Sequence, residues 1–180
     1  MKRNWILPVL TVPITIVLVL ALQAVFLALP YPLSSFNVVV FALIFALLIW
    51  ESGGVVWFAA LLYAIIDWYT ATPYGLILIS STLAMLTVLW FYRSFFTNRS
   101  PIAAGALAVM LTVSRLIYYV IGYYLLSVLS IVQSPPFTPI MTALVAEVLI
   151  TGPLVFVVYL GISRLVPALR VTHTTSLRNL

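Results

Sequence analysis

Residues 74–100 read YGLILISSTLAMLTVLWFYRSFFTNRS, and this stretch decides the fold class. An uncharged run from Tyr74 to Phe91 is long enough to cross a bilayer as a helix, and it ends at Arg93 in a polar segment that reaches Ser100. A membrane span followed by a basic border is the natural reading. The rest of the chain repeats the pattern. Hydrophobic residues make up 65% of the 180 positions and charged residues 6%, at a mean hydropathy of +1.27, which excludes an ordinary soluble domain and a disordered polymer.

Outward from that run, the apolar stretches and their breaks divide the chain into approximate spans 5–29, 37–50, 55–70, 74–92, 102–128 and 139–165. The expected fold is therefore an all-α integral membrane protein with six transmembrane helices, a transmembrane domain over 1–166 and a cytoplasmic tail over 167–180. Six spans of roughly 20 residues leave only short connections and no room for a soluble domain. The first run follows Met1-Lys2-Arg3 but is longer than a signal core and lacks a small-residue cleavage site, so it reads as span one, bent by Pro8 and Pro13. Spans two and three are short against a hydrocarbon core of about 30 Å. A kinked hairpin that enters without crossing is their alternative. Continuous apolar runs exclude β-barrel alternation.

Charge placement gives an independent count. With a cytoplasmic N-terminus, Lys2, Arg3, Arg93, Arg99, Arg164, Arg170 and Arg178 all fall inside, and the opposite loops carry no Lys or Arg. Losing one span would set Arg93 and Arg99 opposite Lys2 and Arg3. Both termini are expected in the cytoplasm. Trp5, Trp50, Trp57 and Trp90 then border the inner face, and Trp68, Tyr69 and Tyr74 the outer one. The Asn98-Arg99-Ser100 acceptor motif falls on the inner side and is discounted.

Four ionisable residues interrupt or edge the apolar runs: Glu51, Asp67, Arg115 and Glu147. A charge at mid-membrane costs at least about 2.5–3.5 kcal/mol, so each must face protein, water or an opposite charge. Arg115 and Glu147 lie at matching depths in consecutive spans and are expected to pair. Small residues lead to both: Ala104, Ala108 and Thr112 on one helix, Ala143 and Thr151 on the other. The plainest role is an ion pair that holds two helices together; a substrate or proton pathway and a contact for a partner's intramembrane segment are the alternatives. Asp67, on a face with Ala60 and Ala64, closes span three as a solvated acid or as an acceptor for the turn ahead of Pro73 and Gly75. Glu51, beside Gly53-Gly54, reads as a solvated loop acid. His173 reads as a tail residue among headgroups, and Tyr118, Tyr119, Tyr123 and Tyr124 as an interfacial belt.

Enzyme chemistry has little to build on. Three widely spaced acids do not converge, no nucleophile sits with a base, one histidine and no cysteine offer no metal site, and no phosphate loop or nucleic-acid patch is present. No cofactor, metal or nucleic acid is expected.

The middle of the chain, about residues 37–125, resembles the MreD family, small multi-pass membrane proteins of the bacterial rod-shape (elongation) machinery. The resemblance is carried by the inner loop Glu51-Ser52-Gly53-Gly54, by Asp67-Trp68-Tyr69-Thr70-Ala71-Thr72-Pro73-Tyr74-Gly75, similar to the family's Asp, small hydroxyl, Pro-x-Gly pattern, and by Arg93 closing the next span. The chain departs from the pattern in carrying Tyr63 and Ala64 where a glycine within a turn before the aspartate is expected. The resemblance implies a non-enzymatic scaffold for cell shape and peptidoglycan synthesis in the bacterial inner membrane. Its implied partners are an MreC-like periplasmic protein and, beyond it, the actin-like MreB, a RodA-type glycosyltransferase and its transpeptidase. Asp67, Pro73 and Gly75 would then belong to the docking turn. The substrate-binding components of energy-coupling-factor vitamin transporters are the alternative: they are similar-sized, six-span and basic-tailed, and Ala24 and Ala28 resemble their small-residue docking stripe. In that case Arg115, Glu147 and the nearby tyrosines would line a cavity.

Overall fold

The computed structural model describes residues 6–31, 33–70, 72–73, 75–96, 100–129 and 137–165. Lys2, Arg3, Trp5, Tyr74, Asn98, Arg99, Arg170, His173 and Arg178 lie outside them, so the expectations placed on those residues do too. The described residues form six α-helices and no strand: α1 (Ile6–Leu27), α2 (Val38–Trp50), α3 (Gly54–Tyr69), α4 (Leu76–Phe95), α5 (Pro101–Val128) and α6 (Phe137–Leu165), with one 3-10 turn, Leu33–Ser35, before α2.

The helix borders follow local chemistry. Asn37 caps α2 by accepting the Val40 N–H on its side chain at 3.0 Å, and Ser100 caps α5 by accepting the Ala103 N–H at 3.1 Å. Pro101 then occupies the first turn of α5, where its missing N–H costs nothing. Glu51 ends α2 in the left-handed conformation at φ 48°, its N–H returning to the Leu47 carbonyl at 2.9 Å. The helix α1 continues through Pro13 as one element.

Leu76–Phe95, Pro101–Val128 and Met141–Arg164 are long and apolar enough to cross a membrane, which marks the chain as a membrane protein. Their outward faces remain apolar: Ile79, Ile121, Leu149 and Val157 are all exposed, as lipid-facing residues would be. The helices α3, α4, α5 and α6 pack in chain order, each against the next.

The shortest helix is the most enclosed. α2, 13 residues and therefore about 20 Å long, packs against α1, α3, α5 and α6. Val40, Leu43, Ile44, Leu47 and Leu48 on α2 are fully buried. Its shortness needs no matching thickness of lipid, because protein surrounds it. α1, by contrast, packs mainly on α2 and the 3-10 turn, leaving Ile14, Val17, Leu18 and Val25 exposed.

Candidate functional site

Arg115 stands halfway along α5, and Glu147 is on the facing turn of α6. One guanidinium nitrogen, Nη2, donates to both Glu147 carboxylate oxygens at 2.7 Å. The seam that allows this approach is made of glycine as well as alanine. A Cβ on Gly105 would stand 3.2 Å from Phe156 Cβ, and one on Gly152 would stand 2.7 Å from Val109 Cγ2. Ala104, Ala108, Thr112 and Thr151 are buried along it, whereas Ala143 is exposed on α6 and lines a cavity instead.

Glu147 has a further partner. Asn37, at the start of α2, donates from Nδ2 to Glu147 Oε1 at 2.7 Å, and its backbone N–H donates to Thr151 Oγ1 at 3.1 Å. Next to it, the Val38 N–H donates to Gln23 Oε1 on α1 at 2.7 Å. A polar seam therefore joins α1, α2, α5 and α6 at one level of the bundle. Three hydrogen bonds on a half-buried carboxylate offset much of the cost of taking it from water.

Asp67 is buried at 5% exposure and serves α4 rather than solvent. Its Oδ2 accepts the Gly75 N–H, and its Oδ1 accepts the Ile77 N–H at 3.1 Å. An anionic carboxylate at a helix N-terminus satisfies donors that have no partner within the helix and complements its dipole. Gly75 takes φ +88°, which side-chain-bearing residues rarely adopt, and the Pro73 carbonyl accepts the Leu76 N–H at 3.1 Å. The Thr70 hydroxyl donates to the Asp67 carbonyl at 3.2 Å and lies 3.1 Å from the Thr72 hydroxyl. Asp67, Thr70, Pro73 and Gly75 thus form one interlocked turn.

The face that carries Asp67 differs from the expected one. It shares its side of α3 with buried Ala59 and Tyr63, while Ala60 is half-buried and Ala64 is exposed. The four-residue ladder 59, 63, 67 faces α4, and the 60–64 pair is rotated away from it. Glu51 also departs from the solvated-acid expectation: although exposed, it accepts the Tyr92 hydroxyl of α4 at 3.0 Å, across 41 residues. The tyrosines at the end of α5 do not act as a uniform belt either. Tyr118 hydrogen-bonds Thr87 of α4 at 2.9 Å, while the Tyr119 and Tyr123 rings lie 5.9 Å apart. The helix pairing that brings these groups together is not encoded locally.

Two adjoining cavities meet at Arg115 and Ile66. One, of about 430 Å³, opens among α1, α2 and α3 past Gln23, Asn37 and Tyr63; the other, of about 280 Å³, lies among α4, α5 and α6 beside Ser80, Ser81 and Glu147. Tyr63 and Ser81 are fully buried beside one another and beside Arg115, where the Tyr63 hydroxyl interacts with both neighbours without reaching close hydrogen-bond geometry. Both face the same end of the bundle as the Asp67 turn. Glu51 and Tyr92 belong to the opposite end. No group of three metal-ligating side chains occurs among the described residues. Asn37, Gln23, Tyr63 and Ser81 were not expected as site residues, although an asparagine at a helix start and a lone amide in an apolar run are both legible signals.

Comparison with protein-family models, with curated proteins and with solved structures finds no match.

Proposed function

We propose that the chain is a six-span, non-enzymatic scaffold of the bacterial elongation complex, resident in the cell membrane with both termini cytoplasmic. It would join an MreC-like periplasmic protein, and through it a RodA-type glycosyltransferase and its transpeptidase, to MreB on the cytoskeletal side. One observation carries the reading: the residues of the MreD-like motif act as a single structural unit. Asp67, Pro73 and Gly75 lock the α3–α4 turn, and the lock leaves Trp68 and Tyr69 at 77% and 84% exposure beside it. Rigid aromatic side chains on a fixed turn suit the docking of a partner segment at a membrane border. α1 supports the span count, since 22 residues reach about 33 Å.

Co-purification tests the proposal. Expressed with an MreC-like single-span protein, the chain should retain it through detergent extraction, and Trp68→Ala with Tyr69→Ala should release it. Failure to retain that partner, together with unchanged cell shape on depletion, would sink the scaffold.

The cavities at Arg115 favour a second reading, the substrate-binding component of an energy-coupling-factor vitamin transporter. A vitamin retained through purification, or one that raises the melting temperature, would decide for it.

A further inference from the structure

We infer that the lipid-facing wall of α3 and α4 holds the bilayer thinner than the wall of α5 and α6 does, and that it gathers phospholipids with short acyl chains. The inference concerns the chain in lipid with no partner bound, so it stands apart from the scaffold role given to Trp68 and Tyr69. Trp57, Leu61, Ala64 and Trp68 follow one another at helical spacing along α3, and all four are exposed. The two indoles, at 76% and 77% exposure, bracket an apolar stripe. Tryptophan settles at the border between headgroups and hydrocarbon, so an indole at each end marks where the apolar layer starts and stops. Eleven residues separate them, which is about 17 Å along the helix. The borders of an ordinary hydrocarbon core stand about 30 Å apart. Tilting α3 would bring the indoles closer still along the membrane normal, and both side chains lean toward the same helix end, so neither effect widens the gap.

A helix this short either stops inside the membrane or crosses where the lipid thins to meet it. Side-chain ties to α4 decide between the two. At one end Asp67 accepts the N–H groups of Gly75 and Ile77; at the other Glu51, in the turn before α3, accepts the Tyr92 hydroxyl at 3.0 Å. α3 therefore begins and ends level with the two ends of α4. Since α4 is long and apolar enough to cross, α3 crosses with it. Gly75 and Tyr92 lie about 26 Å apart along α4, and Arg93 follows at once. The opposite wall is longer: Met141–Arg164 of α6 measures about 36 Å, and α5 exposes apolar side chains from Ile102 to Val128, about 39 Å. A long helix meets a bilayer by tilting, but a short one tied at both ends cannot stretch, so the lipid gives way. Short chains give way with the least strain. The occupant is lipid rather than a second helix, because closely packed membrane helices meet on small residues and this stripe carries two indoles and a leucine.

Lipid competition at the tryptophans tests the inference. With Trp5→Tyr, Trp50→Tyr and Trp90→Tyr, the full chain keeps Trp57 and Trp68 as its only tryptophans. It is reconstituted in dibrominated dioleoyl-phosphatidylcholine, whose bromines quench an indole they touch, mixed with unbrominated dimyristoleoyl- or dierucoyl-phosphatidylcholine. The short-chain lipid should relieve quenching about threefold more effectively than the long-chain one. A second reporter, Leu149→Trp with all five native tryptophans replaced by tyrosine, reads the exposed α6 wall, and Val157→Trp takes its place if that variant does not fold. There the preference should vanish or reverse. Equal relief by the two lipids at Trp57 and Trp68 overturns the inference. So does the same short-chain preference at position 149, which would belong to the whole protein rather than to one wall. If bromine fails to quench Trp57 and Trp68, protein rather than lipid covers the stripe, and the inference falls.

Discussion

The Asp67 carboxylate at the end of α3 accepts the backbone N–H of Gly75, eight residues later, and of Ile77, the second residue of α4. A single side chain therefore both closes the connection and caps the helix that follows. Asp67→Ala would leave two part-buried N–H groups without their acceptor, at up to about 1–3 kcal/mol each. Asp67→Asn keeps one acceptor oxygen, loses the charge and should cost less. Gly75→Ala should cost about 1–2 kcal/mol through its backbone conformation alone, because the nearest side-chain atom to an added Cβ, Ile79 Cδ1, is 3.9 Å away. Thermal denaturation of the purified protein in detergent, followed by circular dichroism, should rank the losses as Ala above Asn at position 67.

Arg115 and Glu147 should be strongly coupled. Arg115→Leu strands a carboxylate in the bundle, Glu147→Leu strands a guanidinium, and each should destabilise by about 3–5 kcal/mol. Together the two substitutions remove both charges and should cost less than either alone, with a residue of about 1 kcal/mol for the Asn37 amide that loses its acceptor. A double-mutant cycle in thermal stability measures this. A double variant as unstable as the sum of the singles would show that the pair is not coupled. If the double variant also keeps its activity, the pair has no part in transport or partner binding.

How far the fold could be read in advance depended on whether the signal was local. Six apolar helices follow from uninterrupted hydrophobic runs, and the borders shifted by only a few residues: 74–92 became Leu76–Phe95, and 139–165 became Phe137–Leu165. The Arg115–Glu147 pairing follows from equal depth in consecutive helices. The burial of α2 does not follow, because VVVFALIFALLIW is apolar on every side and hydropathy cannot separate a lipid-facing helix from an enclosed one. Nor does the Glu51–Tyr92 bond, which depends on how α2 and α4 come to lie together. Tyr63, which departs from the glycine of the MreD-like pattern, is fully buried and lines the cavity wall beside Arg115. Its ring occupies space that a glycine would leave open.

The two glycines that α5 and α6 use differ from Gly122 in what opposes them. A methyl group at Gly152 would come within 2.7 Å of Val109 Cγ2, whereas one at Gly122 would come within 2.6 Å of Leu76 Cδ1. The distances are nearly equal, yet valine is branched at Cβ and stiff, while the far end of a leucine can turn aside. Gly152→Ala should therefore push α5 and α6 apart at a cost of about 1–3 kcal/mol, and Gly122→Ala should be close to neutral. Melting temperatures of the two variants, measured in the same detergent, check the contrast; equal losses would show that the seam yields as easily as the leucine.

The span count rests on charge more than on length, since α2 and α3, at 13 and 16 residues, reach only about 20 and 24 Å. With both termini cytoplasmic, the α2–α3 turn and the α4 end beside Arg93 lie inside, and the Asp67–Gly75 turn lies outside. The absence of native cysteine makes this directly measurable. Thr72→Cys should react with a membrane-impermeant maleimide in intact spheroplasts, whereas Ser52→Cys and Ser94→Cys should react only after permeabilisation. Ser52 and Ser94 are both exposed, so a lack of labelling at either reports the side of the membrane rather than burial in the protein. Labelling of Ser94→Cys from outside would place the end of α4 beyond the membrane. The even span count and the scaffold built on it would then both fail.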